Sequence, residues 1–96
     1  MISQGQLTVI NSTRACELNN ENIEKLASLY GLSFGFCRAL CLSKPNCGAI
    51  DWFRKTNWCN LYERACTNPL RKGGEASSYR VVREDLVKVN SQSSGM

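Results

Sequence analysis

Apolar positions along this chain recur with two different periods, and each period marks a different kind of element. Gln6-Leu7-Thr8-Val9-Ile10 is a short β-prone run, closed by the polar Asn11-Ser12-Thr13. Cys16 follows in a second short extended piece. Ile23, Leu26, Ala27 and Tyr30 then fall at helical spacing, behind N-cap candidates in Asn19-Asn20-Glu21-Asn22 and ahead of a C-terminal Gly31. This pattern predicts a short helix over residues 22–30. Ser33 is a good N-cap for a second helix, residues 34–43, which Lys44-Pro45-Asn46 terminates. Phe34, Cys37, Leu40 and Cys41 lie on one stripe of it, so two sulfurs one turn apart aim the same way.

The period then shortens. Residues 48–54 read as a strand, Lys55-Thr56-Asn57 as a turn, and residues 58–63 as the returning strand of a hairpin. Cys59 and Leu61 share one face of that second strand, and Trp58, Asn60, Tyr62 and Arg64 share the other. A bond from Cys59 to the helix would turn the first set inward and the second outward, although such a stripe can also be covered by the N-terminal strand. Thr67-Asn68-Pro69 and Lys72-Gly73-Gly74 make a loop, and residues 78–83 return as a strand. Residues 90–96 form a polar, Ser-rich tail. With no internal repeat, the 96 residues predict a single α+β domain with a modest core.

Composition changes this picture in one respect. Six cysteines (Cys16, Cys37, Cys41, Cys47, Cys59 and Cys66) stand in a chain without histidine. An even count in a short chain reads as three disulfides and a secreted or surface-exposed protein. Fifteen pairings are open, and spacing alone does not choose among them. Cys41 and Cys47 can close a tight loop around Pro45, and Cys37 can reach the strand carrying Cys59. Cys16 and Cys66 are then left to close a long ring. Zinc is disfavoured because C-x-x-C pairs and histidine are both missing. No activating base stands beside any cysteine, and no second carboxylate accompanies Asp51, which reads as a strand-surface residue paired with Arg54 or Arg80. We therefore expect neither catalysis, nor a metal, nor a cofactor.

The net charge of +4 lies wholly in residues 54–96, which hold eight cations against four acids. That bias suits acidic partners such as sulfated glycans, but interleaving of the signs favours a plain solvated surface. No apolar run is long enough for a membrane helix, and residues 1–6 lack the apolar stretch of a secretory signal. The chain reads as a mature form or a module of a longer protein. Asn11-Ser12-Thr13 is an N-glycosylation acceptor where secretion follows a eukaryotic route.

Three segments together carry a family resemblance: Phe36-Cys37-Arg38-Ala39-Leu40-Cys41, Asn46-Cys47-Gly48-Ala49-Ile50-Asp51-Trp52, and Trp58-Cys59-Asn60-Leu61-Tyr62. They resemble the core of the PAN/apple domains, with C-x-x-x-C on a helix, a short loop to a third cysteine, and C-x-L on a later strand. Ser78-Tyr79-Arg80-Val81 is similar to that family's closing strand, so the likeness spans residues 14–84. It implies a curved antiparallel sheet with a helix packed on it and bonds Cys37–Cys59 and Cys41–Cys47. It also implies binding of proteins or carbohydrates. In that family the sixth cysteine lies near the module's end, whereas Cys66 comes seven residues after Cys59.

The expectation is a non-catalytic extracellular recognition module for a protein or glycan, with no role for nucleic acid. Trp52, Trp58, Tyr62 and Tyr79 offer faces for stacking on sugar rings, Trp52 with Ile50 reading more simply as core. The expected contacts are Trp58, Asn60, Tyr62, Arg64, Arg71 and Lys72. A small cystine-rich effector, toxin or antimicrobial protein is the competing class, although no strongly amphipathic cationic segment supports it. A protease inhibitor presenting residues 67–74 is a third.

Overall fold

The computed structural model describes residues 5–18 and 21–83. Its elements are β1 (Gly5–Asn11), β2 (Lys25–Tyr30), α1 (Phe34–Leu42), β3 (Ala49–Phe53), β4 (Trp58–Tyr62) and β5 (Ala76–Arg83). The five strands form one antiparallel sheet in the order β1-β5-β3-β4-β2. The chain is therefore a small α+β domain, with β3 at the centre of the sheet and β1 and β2 at its edges. The polar tail and Asn19-Asn20 lie outside the described residues.

One face of the sheet carries α1. Ser33 caps it as its sequence suggested, with Oγ accepting from the Phe36 N–H at 3.1 Å. Ile50, Trp52, Cys59 and Leu61 meet Cys37 and Cys41 there, with Leu7, Phe34, Tyr79 and Val81 around them. Two disulfides reinforce the contact, Cys37–Cys59 from helix to strand and Cys41–Cys47 across the helix exit. Burying those side chains is the main source of stability, at about 25 cal/mol per Å² of apolar surface.

The other face is also covered. Cys16–Cys66 staples the loop after β1 to the loop after β4, and Ala15 bridges to Arg71. This second layer lies over Ala49, Phe53, Tyr62 and Ala76. Every residue of β3 is consequently buried, as are four of the five in β4.

The expected helix over residues 22–30 is instead the edge strand β2, paired with β4. A bulge between Lys25 and Ala27 shifts the register, so Leu26 and Ala27 both pack towards the core. The extra residue breaks the alternation of a strand and leaves apolar positions that imitate a helical period. Asp51 is also not on the surface. It is fully buried, and neither Arg54 nor Arg80 is its partner.

The C-terminus of α1 is closed from a distant strand. Arg83 donates to the carbonyls of Cys47 (2.8 Å), Lys44 (2.9 Å), Leu42 (3.3 Å) and Cys41 (3.4 Å). The planar guanidinium supplies donors in a fork, where an ammonium supplies a point charge. We expect Arg83→Met to lower stability by about 2 kcal/mol in urea unfolding, with Arg83→Lys recovering only part of it. Equal midpoints for all three proteins would show that solvent satisfies this helix end unaided.

Candidate functional site

A groove of about 510 Å³ opens on the helix-bearing face at one end of the sheet. Its aromatic lining comes from three elements: Trp52 on β3, Tyr79 on β5 and Phe34 at the start of α1. Strand register puts Ser77 opposite Trp52 and Tyr79 opposite Ile50, so these side chains share a face. Phe34 packs between the other two rings, 6.0 Å from Trp52 edge-on and 5.1 Å from Tyr79. These ring contacts hold the aromatic wall in one shape.

Hydroxyls complete the lining. Ser77 Oγ lies 3.3 Å from the Trp52 carbonyl and 3.1 Å from the Tyr79 hydroxyl. With a single proton, Ser77 donating to the carbonyl leaves Tyr79 donating to Ser77. The phenol oxygen is then free to accept from a ligand. Ser12 and Thr13, from the turn after β1, form another part of the wall.

The rim is a charge pair. Arg54 Nε meets Glu75 Oε1 at 2.7 Å, both side chains being largely exposed. The guanidinium holds the Glu75 carboxyl below its usual value. So exposed a pair contributes little to stability. Its partners can therefore turn towards a ligand at small cost. Glu75 reaches this position because Gly73, Gly74 and Glu75 all take the left-handed conformation just before β5. At Gly74 a Cβ would stand 3.2 Å from Phe53, so the turn needs glycine both for its backbone and for its close approach.

The stripe expected to face outward lies beneath the second layer for most of its length. Asn60 and Tyr62 are buried, because the loops joined by Cys16–Cys66 lie over β4 where open solvent was assumed. Trp58 is half-buried. It stacks on Phe53 at 4.4 Å, lies 5.3 Å from Tyr30 and donates from Nε1 to Ser28 Oγ at 2.8 Å. Arg71 does meet Trp58, 5.8 Å from its ring centre, but is held by Glu17 at 2.8 Å. Arg64 is tied to Glu21. Lys72 is exposed. Of the expected set, Trp58 meets Arg71 as part of the packing between sheet and loops, and Asn60 lies beside Tyr62 under the second layer.

Beneath that layer Asp51 collects three donors. Its Oδ1 accepts from the Cys16 N–H at 2.8 Å, and its Oδ2 from the Glu17 N–H at 3.1 Å and the Tyr62 hydroxyl at 2.6 Å. Burial, and then the Asp51 charge, push the Tyr62 phenol far above its ordinary value, so it remains a donor at every physiological pH. These groups bind the chain to itself.

None of the expected contact residues lines the groove. Trp52 and Tyr79 were among the aromatics suited to stacking, whereas Phe34, Arg54, Glu75 and Ser77 were not singled out. Pairing residues 76–79 with 50–53 as antiparallel neighbours would have placed Ser77 beside Trp52. Neither a scan against protein-family models nor searches of curated proteins and of solved structures gave a match to this chain.

Proposed function

We propose that this chain is a non-catalytic extracellular recognition module of the PAN/apple type. It takes its protein or glycan partner in the groove walled by Phe34, Trp52 and Tyr79. The observation that carries this reading is the groove itself: three fixed aromatic rings beside hydroxyls and an adjustable charge pair. Ligand sites typically join apolar walls to a few converging polar groups, and sugars in particular use ring faces together with hydroxyl partners. Three disulfides in so small a domain suit an oxidising compartment, which supports an extracellular setting. The C-x-x-x-C helix clamped to a C-x-L strand supports the family assignment.

Screening the protein on a glycan array, alongside a pull-down from extracellular extracts, tests the reading. For any partner found, Tyr79→Phe removes one hydroxyl without disturbing the ring and should weaken binding several-fold to about tenfold. Trp58→Phe, on the opposite face, should leave it unchanged. The reverse pattern would return the site to the 58–64 stripe.

A further inference from the structure

The wall of the groove formed by Ser12 and Thr13 belongs to the Asn11-Ser12-Thr13 sequon. Asn11 ends β1 and turns the chain with its own side chain. Its Oδ1 accepts from the Thr13 N–H at 2.8 Å, the Arg14 N–H at 2.9 Å and the Thr13 hydroxyl at 3.1 Å. All of these bonds engage the carbonyl end of the amide. The Nδ2, to which an N-linked sugar attaches, has no hydrogen-bond partner among the described residues. Ser12 and Thr13 are exposed, and Asn11 is half-buried. The free nitrogen sits one residue before the two sequon residues that line the groove.

We propose that Asn11 carries an N-linked glycan and that this glycan stands over the Ser12–Thr13 side of the groove, acting as a size filter on what enters. A branched glycan there would obstruct broad or internal epitopes and leave room for a narrow chain end approaching from the Arg54–Glu75 side. The filtering role rests on the groove being the binding site. The attachment of the glycan does not.

Secretion of the protein from a eukaryotic host, with intact-mass analysis, tests attachment. The wild type should carry a glycan, Thr13→Ser should keep it, and Thr13→Ala should lose it while retaining the Asn11 side chain. An unmodified wild type would overturn the proposal. Shielding is read without any ligand by phenylglyoxal labelling of Arg54 on the rim, normalised to Arg64 on the opposite layer. Trimming the glycan with an endoglycosidase that leaves one sugar should raise the Arg54 to Arg64 labelling ratio, and the Thr13→Ala protein should match the trimmed form. An unchanged ratio would place the glycan clear of the groove and refute the filter. An array that finds no glycan ligand would count against the binding reading alone, since mass and labelling are independent of it.

Discussion

Replacing Cys16 and Cys66 together by alanine is expected to cost this domain about 4 kcal/mol, the chain-entropy value for a loop of this length. Fifty residues separate the two sulfurs, against 22 and 6 for the other pairs. Small domains are stabilised by only about 5–15 kcal/mol, so the loss would remove a large share of the total. The site of damage should be specific. The layer over Tyr62, Asn60 and Asp51 is held by this bond and by the short bridge Ala15–Arg71, whereas α1 keeps two disulfides of its own. Hydrogen exchange should therefore rise first in residues 12–18 and 64–72, while residues 34–42 stay protected. Uniform loss of protection would show that the two layers unfold as one unit.

Asp51→Asn is expected to destabilise by about 3 kcal/mol, because a neutral amide presents its NH2 to at least one of three converging donors. Tyr62→Phe removes only the phenol donor and should cost about 1 kcal/mol. A pH series separates charge from geometry. Burial pushes the Asp51 carboxyl up from its ordinary value of 3.8, outweighing the hydrogen bonds from Tyr62, Cys16 and Glu17. The folded state therefore holds this proton more tightly than the unfolded chain. Its contribution to stability is fully present below pH 3.8 and is lost as pH rises through the elevated value. Exposed Glu75 runs the opposite way. Its carboxyl is lowered by Arg54, so its small contribution is present above pH 4.5 and fades as pH falls through the lowered value. The stability gap between wild type and Asp51→Asn should accordingly widen as the solution is acidified from neutral. A gap that narrowed would mean that the ionised carboxylate is the form the fold prefers.

The elements that could be read in advance are those whose signals are local. Ser33 and Pro45 bracket α1 to within three residues, and Cys37 and Cys41 mark its buried stripe. The turn at residues 55–57 separates two runs that do pair as a hairpin. Errors arose where a distant segment decides the outcome. Alternation along β4 identifies two faces correctly, but the second is covered by loops whose linked cysteines stand fifty residues apart in sequence. Asp51 reads as a surface residue until Cys16 and Glu17 arrive with their amides. Arg83 looks like any strand cation, and nothing near it announces a helix end. In the groove, the aromatic rings were visible as residue types. Their convergence depends on the crossover that sets β5 between β1 and β3.

The register of β1 and β5 has a mechanical consequence. Gly5 lies opposite Arg83, so the first and last of the described sheet residues are neighbours. A pull on both ends would open that seam pair by pair, like a zip, at low force. The peeling stops at Cys16 and Cys66, where the tension passes straight through one sulfur–sulfur link. Everything from residue 17 to residue 65 would then hang outside the load path, including the helix clamp and the hairpin.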